Sequence, residues 1–346
     1  MSSVLIVTDA WKPQVNGVVH SLERLGLELR KMGKRTEFLT PQNFTHLPMP
    51  SYPEIRLSLA APASVRRSVE NFNCDYLHIA TEGPLGWFAR QAALKMELSF
   101  TTSYHTRFPE YVRARAPVPL QWSYAWLRNF HNAASACMVA TKSLEDDLRE
   151  RGFHNLVRWS RGVDGEQFKP CSSNVYDGLK GPIFLYVGRV AVEKNIETFL
   201  ELDLPGTKVV VGGGPRLQQL QSAYPAVVFK GPLTGWALVE HYAGASVFVF
   251  PSKTDTFGNV ILEALACGTP VAAYPVMGPK DILGGNQAGI LSQNLEEAAI
   301  AALKLDGDYC RKFAQTFSWE ASAHRFWKNV TVKGKLEHTI RVNGSV

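Results

Sequence analysis

Residues 246–268 hold an apolar run, a polar loop and a run of helix formers closed by a glycine: Ser246-Val-Phe-Val-Phe-Pro-Ser-Lys-Thr-Asp-Thr-Phe-Gly-Asn-Val-Ile-Leu-Glu-Ala-Leu-Ala-Cys-Gly268. The run Ser246–Phe250 has the composition of a strand buried on both faces of a parallel sheet. Gly268 closes the helix that follows. A strand that feeds a helix through a short loop exposes the first N–H groups of that helix, here those of Gly258, Asn259 and Val260, and these suit anionic or hydroxyl-rich ligands. Asp255 precedes the helix and Glu263 lies inside it, eight residues on. Two acids at a helix start oppose a bare phosphate and suit sugar hydroxyls, provided cations for the phosphate come from elsewhere. Taken alone, the same residues also fit an ordinary strand–helix loop with an aspartate cap.

The cations stand upstream. Pro182-Ile-Phe-Leu-Tyr-Val-Gly-Arg-Val-Ala-Val-Glu-Lys-Asn195 is a second apolar strand, and its loop carries Arg189 and Lys194. Two fixed positive charges after one strand and two acids after another can hold a diphosphate and a polyol together. Surface charges need no explanation, but open α/β sheets bind ligands at the C-terminal ends of strands, where these charges fall.

Gly188-Arg189 with Lys194 and the Asp255-to-Glu263 element inside Thr-Asp-Thr-Phe-Gly-Asn-Val-Ile-Leu-Glu are two of four matching motifs. Pro13-Gln-Val-Asn-Gly-Val-Val19 and Tyr104-His105-Thr106 are the others. In this order they resemble the retaining nucleotide-sugar glycosyltransferases of family 4 (group 1), over residues 1 to about 330. The resemblance implies the α/β GT-B fold, two Rossmann-like doubly wound domains facing a central cleft. Within it His105 contacts the transferred sugar, Gly17 lies against the donor diphosphate, and Arg189 and Lys194 neutralise that diphosphate without a metal. Asp255 holds sugar hydroxyls, helped by the backbone at Phe257, Gly258, Asn259 and Val260, and Glu263 holds the ribose. Gly213, Pro232 and Leu233 sit where relatives hold the nucleotide. Two departures stand out. Asp255 replaces the Glu of many relatives, which leaves the sugar contact open, and Gly213 occupies a position where relatives often have Asp.

A chain of 346 residues, 45% hydrophobic, is large enough for two cores. Five cysteines, an odd number with no C-x-x-C spacing, argue against a disulfide framework or zinc site and for a reducing compartment. The chain enters a strand at once, with no signal peptide and no apolar stretch of spanning length, so a cytoplasmic location is expected. The charge is uneven: residues 1–170 carry 21 of the 37 Lys and Arg against 16 of the 31 Asp and Glu, a balance of +5 out of the total of +6. A basic half fits a membrane surface, an acidic acceptor or nucleic acid, or is simply a basic soluble surface. No nucleic-acid fold signature accompanies it.

Along the N-terminal half, strands at Ser3–Thr8, Thr36–Thr40, Asp75–Ile79, Leu98–Ser103 and Ala136–Thr141 alternate with helical patterns, the mark of a doubly wound parallel sheet. Gly17 opens a helix whose Val18, Leu22, Leu25 and Leu29 recur at helical spacing. No G-x-G-x-x-G dinucleotide fingerprint is present. Glu82, at a strand–helix junction, reads as a pocket edge. His105 follows a strand at the ligand edge, where a satisfied structural histidine is the common alternative. Between residues 107 and 130, Arg107, Arg113, Arg115 and Arg128 interleave with Phe108, Tyr111, Trp122, Tyr124, Trp126 and Phe130. With Arg66 and Arg67 they read as a face for an anionic membrane at the inner side of the cytoplasmic membrane; each aromatic singly fits a core position equally well.

The polar stretch from Arg161-Gly-Val-Asp through Gly181 is the best linker, so the domains are read as 1–170 on the acceptor side and 171–312 on the donor side. Gly212-Gly-Gly-Pro215 is either a plain turn or a bed for a nucleotide. Residues 313–330 read as an amphipathic helix capped by Ser318, which in the resembled family crosses back to the first domain. The tail 331–346 reads as polar and disordered.

The expected function is transfer of an α-hexosyl group, mannose from GDP-mannose in first place, to a lipid-associated or glycan acceptor, with retention of configuration and no protein nucleophile, cofactor or metal. The alternatives are a UDP-sugar glycolipid synthase (glucose, galactose or glucuronate), a UDP-sugar epimerase and an inactive nucleotide-sugar-binding protein. No residue distinguishes guanine from uracil.

Overall fold

The computed structural model describes residues 2–333 except Val15, Pro50, Ser51 and 114–116, so Arg115 and the chain beyond residue 333 lie outside the described residues. The first half supplies β1 (Ser3–Val7), β2 (Arg35–Leu39), β3 (His46–Met49), β4 (Tyr52–Ser58), β5 (Tyr76–Ile79), β6 (Phe100–Tyr104), β7 (Ala136–Val139) and β8 (Leu156–Arg158). Six of these form one sheet in the order β2-β1-β5-β6-β7-β8, every pairing parallel, while β3 and β4 pair as a separate antiparallel hairpin. β1, β6 and β7 are buried along their whole length, which is why they read as continuous apolar or small-residue runs. The hairpin and the three-residue β8 carry no such run and are additions to the sequence reading.

The second half supplies β9 (Ile183–Val187), β10 (Thr207–Val211), β11 (Val228–Gly231), β12 (Val247–Phe250), β13 (Val271–Ala273) and β14 (Gly289–Leu291), in the order β11-β10-β9-β12-β13-β14 and again all parallel. In each sheet the first strand lies inside the sheet, and the chain winds outward on one side of it and then on the other. That switch falls between β1 and β5 in one sheet and between β9 and β12 in the other, and it opens a crevice at the carboxyl ends of those strands.

The helix Trp319–Lys333 returns to the first sheet. Ser318 caps it by accepting from Ala321 N at 3.0 Å, and Val163 bridges to Ser318. Ala323, Phe326 and Val330 are fully buried among Val4, Ile6, Leu22, Leu25, Leu29, Met138 and Trp159. Trp159 Nε1 donates to Ser322 Oγ at 3.0 Å, and Asn329 Nδ2 donates to Arg158 O at 3.0 Å. Residues 331–333 are part of this helix and not of a tail, because the burial of Val330 keeps the last turn in register.

Candidate active site

The loops after β9 and β12 leave neighbouring strands and are tied together. Asn195 Nδ2 donates to Pro251 O at 3.0 Å, Thr254 Oγ1 to Glu193 O at 3.1 Å, and Lys194 Nζ to Asp255 Oδ1 at 2.5 Å. The sequence reading separated the cations from the acids; the structure pairs Lys194 with Asp255 directly. The side chains are 22% and 16% exposed, and Asp255 Oδ2 is buried without a partner among the described residues. Burial alone would lower the Lys194 pKa, but the charge of Asp255 and the neighbouring Tyr111 outweigh it and hold the ammonium charged. Arg189 is partly buried in the same loop, with its carbonyl held by the Tyr186 hydroxyl at 2.8 Å.

The helix Asn259–Ala266 starts at Gly258, whose φ of +94° excludes an ordinary side chain. That turn points the helix start at the first domain. No acceptor among the described residues takes the N–H of Gly258, Asn259 or Val260. Phe257 is buried against the second core and anchors the loop. Asn259 Nδ2 donates to Ser21 Oγ at 3.2 Å and lies 3.4 Å from Gly17 O, so Gly17 faces this helix start across the cleft. Asn16 accepts from Val18 N and Val19 N, both at 3.0 Å, and sets the start of the Gly17–Lys31 helix.

His105 follows β6 on the opposite wall. Thr256 Oγ1 donates to its carbonyl at 2.6 Å, and Thr141 Oγ1 donates to Thr256 O at 3.4 Å. The loop that carries Asp255 is therefore seated on the ends of β6 and β7. His105 Nδ1 meets Arg161 Nη2 at 2.5 Å, and its ring lies edge-on to Trp159, 5.9 Å between centroids. Burial first, and then the Arg161 charge, hold the imidazole well below its ordinary pKa.

Glu263 lies one turn into its helix, where Tyr242 O–H donates to Oε2 at 2.9 Å. Burial pushes its carboxyl up to about 7, against the lowering effect of that bond. On the nucleotide side, β10 leads into Gly212, where a Cβ would sit 1.9 Å from Gly188 O, so only glycine lets these two loops touch. Gly213 O accepts from Val190 N at 2.9 Å, and a Cβ on Gly213 would meet the Pro232 ring at 3.7 Å. Pro232 is exposed and Leu233 packs partly into the core beside it. At the other switch point Asp9 accepts from Leu85 N at 2.8 Å, Gly86 N at 3.2 Å and Thr81 Oγ1 at 2.9 Å. Burial still raises the Asp9 pKa to about 6. Glu82 pairs with His131 at 3.0 Å.

The proposed membrane face is partly corrected. Arg107 is 17% exposed and spent on Glu110 at 2.5 Å, and Glu110 also accepts from the Tyr124 hydroxyl at 2.6 Å. Tyr124 and Phe130 turn into the core because the Leu120–Asn132 helix packs that stripe on the sheet. Trp122, Trp126 and Phe108 remain exposed at 67%, 41% and 46%. Trp126 packs between Trp87 and Phe108, at 5.1 and 6.2 Å between centroids. Arg66, Arg67 and Arg113 are exposed, with Arg66 3.6 Å from Glu70. Among the described residues no helix is long and apolar enough to cross a membrane.

Residues 15–167 match Glycosyltransferase Family 4, and residues 181–307 match Glycosyl transferases group 1. A GDP-mannose-dependent alpha-mannosyltransferase of Mycobacterium tuberculosis is 30% identical over 83% of this chain and 83% of its own length. The chain belongs to glycosyltransferase family 4. It is a nucleotide-sugar-dependent glycosyltransferase. Another GDP-mannose-dependent alpha-mannosyltransferase, from Corynebacterium glutamicum, is 28% identical over 94% of this chain and 86% of its own. The Sulfoquinovosyl transferase SQD2 of Arabidopsis thaliana is 29% identical over 80% of this chain and 60% of its own. Among solved structures, sucrose-phosphate synthase from Thermosynechococcus elongatus superposes with a TM-score of 0.75 at 20% identity, over 95% of this chain and 98% of that one. At that identity it speaks for the fold, which is GT-B.

Two residues beside this candidate site escaped the sequence reading. Thr256 stands inside the recognised motif but reads as loop filler. Arg161 was taken as the start of a linker, although recognising β8 three residues before it would have placed it at a strand's carboxyl end.

Proposed function

We propose that this glycosyltransferase transfers mannose from GDP-mannose to a lipid-linked acceptor, with retention of configuration. The observation that carries the reading is the seating of one loop: Asp255 and the unpaired N–H groups at 258–260 stand opposite Gly17 and His105. A sugar held by Asp255 then has its diphosphate between the Gly17 helix start and the cations Arg189 and Lys194, which take the charge of the leaving group without a metal. Glu263 takes the ribose hydroxyls, and the Gly213 and Pro232–Leu233 loops take the base. The acceptor hydroxyl attacks the anomeric carbon from the face the diphosphate leaves, so no protein nucleophile is needed. The names of the mycobacterial and corynebacterial relatives support mannose.

A second reading, a UDP-sugar glycolipid synthase, draws on the relative named Alpha-monoglucosyldiacylglycerol synthase from Streptococcus pneumoniae, 24% identical over 94% of this chain. For either acceptor, exposed Trp122 and Trp126, with exposed Arg113, are suited to an anionic membrane at its cytoplasmic face. Sedimentation with anionic vesicles at low salt tests this, and a protein left in the supernatant overturns it.

The deciding experiment titrates GDP, UDP and ADP into the protein by calorimetry, with and without EDTA. Preference for GDP, unchanged by EDTA, is the expected result. Preference for UDP overturns mannose, and loss of binding in EDTA overturns the metal-free diphosphate site.

A further inference from the structure

Arg161 is buried to 6% exposure, and no carboxylate among the described residues pairs with it. Its guanidinium meets three groups: Nη2 lies 2.5 Å from His105 Nδ1, Nη1 3.4 Å from Trp159 O, and the carbon 4.1 Å from the Trp159 ring centroid. A buried cation held only by a carbonyl, a ring face and an imidazole nitrogen is an unusual expenditure of desolvation for a purely structural contact.

The chemistry of the pair admits one arrangement. A guanidinium has only N–H donors, so Nδ1 of His105 must be the acceptor. The ring proton then resides on Nε2, which is buried and has no partner among the described residues. The charged and titratable groups facing the ring are Arg161, His78 and His131, and all three oppose a positive charge on it. The backbone is held as well, by Thr256 Oγ1 on the His105 carbonyl at 2.6 Å. An oriented ring with one unpaired N–H is what a ligand oxygen would complete.

We propose that Arg161 is a positioning residue that fixes His105 as the neutral Nε2–H tautomer, so that His105 presents a hydrogen-bond donor to the sugar being transferred. The proposal rests on the reading of His105 as a contact of that sugar. It carries a consequence for the proton. With Nδ1 taken by Arg161 and Nε2 already protonated, His105 cannot accept the proton of the acceptor hydroxyl. As the anomeric carbon–oxygen bond to the diphosphate breaks and the bond to the acceptor oxygen forms, that proton goes to the departing phosphate oxygen. A neutral donor also adds no positive charge beside an oxocarbenium-like carbon.

The test is a long-range nitrogen–proton correlation spectrum of the ligand-free, full-length enzyme carrying ring-labelled histidine, with His105→Gln used to assign the signal. The expected spectrum shows Nε2 protonated and Nδ1 bare, unchanged from about pH 5.5 to 8. Arg161→Lys, which keeps a cationic donor, should preserve the tautomer and most of kcat. Arg161→Met should populate the Nδ1–H form of a ring that burial still keeps neutral, with kcat down about a hundredfold and the Kd for nucleotide unchanged. A wild-type ring protonated on Nδ1, or doubly protonated at neutral pH, overturns the proposal even if the Met variant fails to fold. An Arg161→Met ring that matches the wild type overturns it too. If His105→Gln keeps wild-type kcat while the tautomer is as expected, the sugar contact fails and the Arg161–His105 assignment stands.

Discussion

Glu263 offers a perturbation whose stability and binding effects should run in opposite directions. Its carboxyl has an ordinary value of 4.5 and is pushed to about 7 by burial in the folded protein. Folding therefore favours the protonated form. The penalty for the ionised form is absent below pH 4.5, grows as pH rises toward 7 and is constant above it. That displacement corresponds to roughly 3 kcal/mol at most, which the partial exposure of the side chain reduces to about 2 kcal/mol. Glu263→Gln keeps an oxygen for the Tyr242 hydroxyl and carries no charge. It should raise the melting temperature by about 4–8 °C at pH 8 and leave it unchanged at pH 4.5. The same variant should weaken nucleotide binding, because an ionised carboxylate accepts two ribose hydroxyls and an amide oxygen accepts them less strongly. Wild-type binding near neutral pH should release protons, measurable by calorimetry in buffers of different ionisation heat, and the variant should release fewer. A pH-independent melting difference, or a Gln variant less stable at pH 8, would refute the reasoning.

Three further outcomes follow from the packing. Lys194→Met strands Asp255, so stability should fall by about 2–3 kcal/mol in urea along with kcat. Adding Asp255→Asn should restore the stability and leave the activity low; a double variant as unstable as the single one would mean the pair carries no such coupling. Thr256→Val removes the donor that holds the His105 carbonyl at 2.6 Å, and kcat should fall about tenfold with nucleotide Kd unchanged. A change confined to Kd would show that the loop serves only binding. Phe326→Ala, from a fully buried site packed 4.9 Å from His78 and 5.0 Å from Trp159, should cost about 3–5 kcal/mol. The loss should appear as unfolding of the whole first sheet by circular dichroism; fraying of residues 319–333 alone, seen by proteolysis, would contradict the shared core.

What could be read from the sequence depended on whether each signal was local. The β12 strand, its loop and the Asn259–Ala266 helix lie in one continuous stretch, and the burial of β12 and the open N–H groups of 258–260 follow from composition and order alone. The approach of Gly17 and His105 to that loop became readable only through the motif order, because the contacts span 242 and 151 residues. The 107–130 segment was readable only in part, for a different reason. Its aromatics alternate between a buried stripe with Tyr124 and Phe130 and an exposed one with Trp122 and Trp126, and composition without a helix register cannot divide them. β8 and β14 have three residues each, too few for any periodicity, so the chain after β8 looked like a linker. Arg161 was hidden by that alone. Its partner lies 56 residues upstream on another strand, and neither an arginine before a glycine nor a histidine after a strand is unusual by itself. Their shared geometry becomes visible only when β6 and β8 flank β7 in one parallel sheet, with their carboxyl ends on the same side. A chain that kept both residues but shifted the register of β8 by one residue would turn Arg161 away from His105, and His105 would lose its defined proton.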